Sequence, residues 1–445
     1  MYRIVFSLIV ASIFFTVKGQ DTLVLNTLDK NQQAAYYDSL SFAQYQKQDY
    51  KSLITTLKEA ERLGVSFRYL NYRKAIAYYE LKNYAKAVKY YEKALNDVPD
   101  DMFLKESLYS AYLLSGSGVK AAVLAKTLPK TSQKKLGVSP SFVNFINFSG
   151  GYVLSDNNEK KRNSIDNLDT INQYQDMMLG GVIFGLNVSD RVKVNAGYNL
   201  FNTKFERFAQ NRLQHNDILS QHQLNIGTEF YFKNNFSLGF TGGFYAIEKN
   251  YKSIAQISGN GASYEQKRTI PSSQSTDYNL SALVFLNKRF THVVPEISFA
   301  YSDFAYSIQL QPKLQLTYYP FGNLNFYGNT SGAIIFDNDE NRGKETVFSQ
   351  SLGVKLFGNM WLDGMVSVGN HLNYITEHSF LVYDTYDPIM FISSGNLSYY
   401  FKKMTISAIY SWTQKEGWAF TNYYTNLLKY KYNNQLVNLT IKWNF

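Results

Sequence analysis

The sequence predicts an α plus transmembrane β-barrel protein, with N-terminal helical repeats followed by an up-and-down antiparallel barrel of about 14 strands. Three observations predict it. A self-similarity of 34 residues occupies the chain before residue 135. From about residue 138 a two-residue alternation of apolar and polar side chains takes over, the period of a strand with one dry and one wet face. The links between these stretches are mostly short and long in turn, as up-and-down strands crossing a bilayer require.

Composition narrows the class. Of 445 residues, 16% are aromatic, with 37 Tyr and 32 Phe against 4 Trp, and only 18% are charged. With no Cys there is no disulfide framework, thiolate metal site or cysteine nucleophile. The N-terminus has the form of a secretory signal over residues 1–19: Arg3, an apolar core from Ile4 to Val17, and the small-residue site Val17-Lys18-Gly19. No Cys stands at the cleavage point, so a lipoprotein is not expected. Later segments fall short of the roughly 18 apolar residues of a transmembrane helix, so any crossing after processing uses strands.

The net charge of +10 is uneven: residues 21–135 hold 18 Lys and Arg against 12 Asp and Glu, and residues 136–445 hold 25 against 23. Part of the excess lies in a basic linker, 126–137, at Lys126, Lys130, Lys134 and Lys135. No nucleic-acid motif accompanies it, so nucleic acid is not an expected partner. Anionic lipid or an acidic polymer suits the charge better.

Residues 20–125 carry the repeats. The clearest unit, Arg68 to Asp101, has Ala75, Tyr78, Tyr84, Ala87, Tyr91, Ala94 and Pro99 where tetratricopeptide repeats place small and aromatic residues. Ser41, Tyr50, Leu57 and Ala60 take the corresponding places one unit earlier; one unit later Tyr112 and Ala121 recur, while Tyr109 and Gly118 depart, as in a modified cap. The stretch therefore resembles tetratricopeptide repeats, which stack because one unit alone cannot bury its apolar face. That resemblance implies a concave groove lined by Asp38, Phe42, Tyr45, Tyr69, Tyr72, Tyr79, Phe103 and Glu106. Rows of Tyr suit extended peptides or sugar rings.

Residues 138–445 hold the expected strands, near 141–154, 174–188, 191–205, 220–233, 235–250, 275–288, 291–302, 305–319, 323–337, 345–357, 360–375, 388–401, 403–416 and 434–445. In the fourth, Leu224, Ile226, Phe230 and Phe232 oppose Gln223, Asn225, Gly227, Glu229 and Tyr231. In the last, Val437, Leu439, Ile441, Trp443 and Phe445 form one apolar face. This segment resembles the closing strand of bacterial outer-membrane barrels. The resemblance implies that Trp443 and Phe445 are the signal read by the barrel assembly machinery, and that the exterior meets outer-membrane lipids in a Gram-negative bacterium.

Tight turns such as Ser189-Asp190, Pro320-Phe321-Gly322 and Gly358-Asn359 alternate with longer links at 155–173, 206–219, 251–274, 338–344, 376–387 and 417–433. An even strand count puts both barrel ends on the periplasmic side, with the repeats. Aromatics near the short turns (Tyr231, Phe232, Phe236, Tyr318, Tyr319, Phe326, Phe357, Trp361, Tyr399, Tyr400, Phe401) read as a lipid-interface girdle, and Tyr152, Phe205, Tyr301, Phe336 and Trp412 as a second. Lys193, Glu229, Glu296, Lys313, Lys355, Asp363 and Lys442 fall on the lumen face. Register across Gly358-Asn359 pairs Lys355 with Asp363.

His215, His222, His292, His371 and His378 sit in no hydrolase or metal motif, so neither an enzyme nor a cofactor or metal site is expected. The whole is similar in architecture to surface lipoprotein assembly modulators, exopolysaccharide export secretins and YaiO-like barrels. That likeness implies an export or assembly factor whose repeats capture a protein or polysaccharide cargo. A barrel-anchored scaffold and a passive porin are the alternatives.

Overall fold

The computed structural model describes residues 29–138, 141–210, 212–232, 235–256, 267–269, 273–304, 307–338, 343–376, 378, 381–382, 387–423 and 425–445. The expected signal segment, 1–19, lies outside them. The chain divides into a helical unit up to Leu136 and a barrel from Gly137.

Three helical hairpins build the first unit: α1 (Lys30–Gln46) with α2 (Tyr50–Arg62), α3 (Leu70–Glu80) with α4 (Tyr84–Asp97), and α5 (Met102–Leu114) with α6 (Gly118–Ala125). The first helices end at 46, 80 and 114 and the second begin at 50, 84 and 118, so both series step by 34 residues. Each reversal uses a left-handed residue at the same place, Gln48, Lys82 and Gly116, with φ of 56°, 57° and 77°. Asp49 and Asn83 then cap the returning helices by accepting from the backbone N–H of Ser52 and Lys86. Small buried residues let the helices touch: Ser41, Ala60, Ala75, Ala87 and Ala94 have almost no exposed surface. The third unit, with Tyr109 and Gly118, forms a hairpin like the other two. The stretch 126–137 is more than a linker. It contains a short helix, α7 (Lys130–Lys135), whose Gln133 amide donates to the Ala125 and Leu128 carbonyls at 3.1 and 2.8 Å.

Among the described residues the second unit has one short helix, α8 (Glu159–Asn163), and seventeen strands. They are β1 (Val143–Ser155), β2 (Leu168–Ser189), β3 (Val192–Ala209), β4 (Arg212–Tyr231), β5 (Phe236–Gln256), β6 (Lys267–Thr269), β7 (Ser273–Lys288), β8 (Val293–Phe304), β9 (Ser307–Tyr318), β10 (Phe326–Asp337), β11 (Lys344–Lys355), β12 (Met360–Gly369), β13 (Ile375–Thr376), β14 (Leu381–Val382), β15 (Ile389–Tyr400), β16 (Met404–Thr421) and β17 (Asn426–Asn444). All but β6, β13 and β14 form the wall, a closed antiparallel barrel of 14 strands. The two ends meet where β1 pairs β17, from Phe145 opposite Asn444 to Ser155 opposite Asn434. Closure leaves no unpaired edge along the wall, which hydrocarbon would not tolerate.

Alternation sorts the two faces. Val437, Leu439, Ile441 and Trp443 on β17, and Ile308, Leu310, Leu314 and Leu316 on β9, are exposed on the outside, while Gln309 and Gln311 are buried inside. Two lumen glycines make room for rings. A Cβ on Gly239 would lie 2.1 Å from the Phe285 ring, and one on Gly243 would lie 2.1 Å from the Tyr245 hydroxyl oxygen.

Several expectations need correction. The links near 206–219 and 417–433 are not loops: β3–β4 and β16–β17 continue past the wall as hairpins. The free edge of β16 then pairs with the start of β2, Ala419 opposite Ile171. Not every aromatic near a short turn meets lipid. Tyr231, Trp361 and Tyr400 share the lumen-facing parity, Tyr231 bonding to Glu229 and Trp361 packing on Tyr400 at 4.7 Å between centroids. Phe205, assigned to the second row, is buried with Val153, Tyr174 and Tyr432.

Candidate functional site

Within the helical unit, the first helices of successive hairpins present an aromatic row. Phe42, Tyr69 and Phe103 are 46%, 46% and 58% exposed. The Arg73 guanidinium lies over Phe42 and Tyr69, at 5.2 and 5.3 Å from their centroids, and Tyr72 joins Tyr69 to Phe103 at 6.2 and 6.3 Å. Asp38 does not line the row as a free acid, since its carboxylate accepts from Arg73 at 2.6 Å. Beside the row is a hollow of about 480 Å³ lined by Tyr45, Tyr79, Tyr91, Phe103, Glu80 and Glu106, together with Lys135 and Leu136. Tyr45 and Tyr79 thus share one concavity. Tyr79 also packs edge-on against Tyr84 and Tyr91, so part of its role is structural.

In the barrel, the chain between β12 and β15 turns into the lumen. Its two short strands pack Ile375 and Val382 against Tyr245, Leu283, Phe285, Ala300 and Phe304. Wall glutamines supply the hydrogen bonds that this backbone would otherwise lack. The Gln311 amide donates to the Ile375 carbonyl at 2.8 Å and accepts from the Ile375 N–H at 3.0 Å, and Gln223 donates to the Val382 carbonyl at 3.1 Å. His378 stacks on Phe285 with centroids 4.0 Å apart, and its Nε2 lies 2.9 Å from Glu296 Oε1. At the root of the segment, His371 Nδ1 lies 2.9 Å from the carbonyls of Gly369 and Ile389, so it is the donor, and Nε2 accepts from Ser367 at 2.6 Å. At its return, Asp387 accepts from the Tyr432 hydroxyl at 2.7 Å. Lys415, buried near Tyr432, lies 4.8 Å from the Tyr174 ring centroid.

The predicted lumen charges have mixed fates. Glu229 accepts from Tyr231 and Ser237, both at 2.6 Å, and Glu296 meets His378. Lys313 lies on the inward parity of β9, opposite Ser298. Lys355 and Asp363 are not paired: Lys355 is opposite Trp361, with its ammonium 4.7 Å from the indole centroid, and Asp363 is opposite Gly353 and accepts from Tyr327 and Asn396. Trp443 is exposed on the lipid face, and Phe445 is also exposed, its N–H donating to the Asn144 carbonyl at 3.1 Å.

Gln223, Gln311, His378, Asp387 and Lys415 carry no motif. The only trace of the glutamines in the sequence is amides on inward positions, where a water-filled lumen would suit them as well. Among the described residues no cluster of three His, Asp or Glu is placed to hold a metal ion.

An apolar exterior on a closed wall of 14 strands fits an outer-membrane β-barrel. No family model matches the sequence, and no curated protein matches it. Solved structures with a similar wall include a FadL homologue and two toluene transporters. A FadL homologue of Pseudomonas aeruginosa aligns with TM-score 0.42 and 8% identity over 68% of this chain and 90% of that one. The toluene transporter TbuX of Ralstonia pickettii aligns with TM-score 0.45 and 8% identity over 69% and 90%. The toluene transporter TodX of Pseudomonas putida aligns with TM-score 0.44 and 9% identity over 70% and 92%.

Proposed function

We propose that the chain is an outer-membrane export or assembly factor: the helical unit, acting as tetratricopeptide-like repeats in the periplasm, captures an extended segment of a protein or polysaccharide for delivery through or beside the barrel. The observation that carries this reading is the aromatic row of exposed Phe42, Tyr69 and Phe103 with half-buried Tyr72 between them, on or immediately before the first helix of three successive hairpins. Insertion by the barrel assembly machinery, with Trp443 and Phe445 as the signal, belongs to the same reading.

A photo-crosslinking residue in place of Tyr72, in cells, is expected to give a discrete adduct that disappears when Tyr69 and Phe103 are both changed to Ala. An adduct indifferent to the row, or none, removes the capture reading. The second reading, a barrel-anchored scaffold without transport, is favoured by the inward segment, which occupies the lumen with hydrogen-bonded backbone. A passive porin is disfavoured on the same ground.

A further inference from the structure

Two residues in the wall of the hollow beside the aromatic row have a chemistry that describes its ligand. Two carboxylates, Glu80 and Glu106, stand in walls that mix five aromatic rings with the polar side chains of Gln46, Gln48, Ser107 and Ser110. Glu106 is mostly withdrawn from solvent, its side chain 17% exposed, and its counter-charge is the Lys135 ammonium at 2.7 Å. Lys135 itself is 71% exposed and ends α7, a six-residue helix that buries none of its own side chains. Leu136, the next residue, lines the same hollow. A partly exposed acid paired with an exposed lysine is held by a weak surface ion pair, so its cation can be exchanged. An aliphatic side chain directly after that cation completes the fit.

We infer that the hollow binds an extended peptide segment carrying a basic residue followed by an aliphatic one, and that Lys135 and Leu136 hold this place until such a segment displaces them. This rests on the capture reading above and commits it to peptide rather than polysaccharide. The resident pair makes capture competitive. The segment must offer its own ammonium or guanidinium to Glu106 and its own aliphatic group to the Tyr45–Tyr79 wall.

The test uses the full-length protein in detergent micelles and a fluorescent acetylated, amidated peptide, Gly-Ser-Lys-Leu-Ser-Gly, with a norleucine-for-lysine control and cellohexaose as the carbohydrate probe. Lys135→Ala is expected to tighten the lysine peptide about five-fold by removing the competitor, and Glu106→Gln to weaken it about five-fold and abolish its salt dependence. The norleucine peptide should be indifferent to Glu106→Gln. Equal binding of the two peptides, no response to either substitution, or binding of cellohexaose in place of the peptide overturns the inference. Unchanged helix content shows that each variant is folded. A Tyr72 adduct in cells that ignores Glu106 and Lys135 leaves capture standing and removes only the peptide chemistry. Peptide binding that follows the expected pattern without any Tyr72 adduct does the opposite.

Discussion

Replacing Gln311 by Ala should release the inward segment from the barrel wall. One side chain satisfies both backbone groups of Ile375, at 2.8 and 3.0 Å, and Ile375 is 2% exposed, so the substitution strands a donor and an acceptor in a dry part of the lumen. A net contribution of roughly 1 to 1.5 kcal/mol per hydrogen bond gives about 2 to 3 kcal/mol for the pair, a shift of roughly 30- to 150-fold in the balance between docked and undocked segment. The apolar contacts of Ile375 and Val382 stay, so the segment should loosen rather than leave for good. The chain has no cysteine, so Thr376→Cys gives a single reporter. Its reaction with a membrane-impermeant maleimide should quicken by about that factor when Gln311→Ala is added, with a matching rise in open events in planar bilayers. Labelling as slow as in the Gln311 protein would refute the idea that these two bonds hold the segment.

In the helical unit, the Lys74 side chain is fully buried and meets Glu61 at 2.5 Å, while Glu61 is 45% exposed. Glu61→Gln should cost about 1 to 3 kcal/mol in thermal or urea unfolding, less than a wholly buried pair because water reaches one partner. The Lys74 hydrogen bond holds the Glu61 carboxyl below its usual range. Its stabilisation is therefore complete above the unfolded value of about 4.3 and lost as pH falls through the lower folded value, and Glu61→Gln should flatten that acid limb. Deleting Phe445 removes an exposed terminal ring and one backbone hydrogen bond, so pulse-chase should show slowed assembly and degradation rather than an unstable folded barrel; normal outer-membrane levels would make Phe445 an ordinary residue. For topology, a cysteine at Tyr423, 90% exposed at the β16–β17 turn, should label from outside intact cells, and one at Asn359 in the β11–β12 turn should not. The reverse pattern would invert the barrel.

Local periodicity was enough for much of this fold. A strand facing lipid and lumen must alternate whatever its neighbours do, so the 14 wall strands and the outward face of β17 are legible residue by residue. The 34-residue step is equally local, because small residues must recur wherever two helices of a hairpin touch; of the aromatic row, Tyr69 and Phe103 are one such step apart, whereas Phe42 and Tyr72 are joined to it only by packing. Register is different. Across the β11–β12 turn, Leu356 and Met360 bond to close three residues, with Gly358 at φ 51°, and this moves Asp363 from Lys355 to Gly353. A shift of two residues keeps every side chain on its face, so no alternation pattern could reveal it. The inward segment was still less visible. Residues 376–387 read as an outer loop because nothing near them says where their backbone groups are satisfied. Only closure of the barrel brings Gln311, Gln223 and Glu296, from three distant strands, to Ile375, Val382 and His378. The sequence determined which residues face water and which face hydrocarbon; the tertiary structure alone decided which inward polar groups meet water and which meet the chain itself, because those partners lie 64 to 159 residues apart.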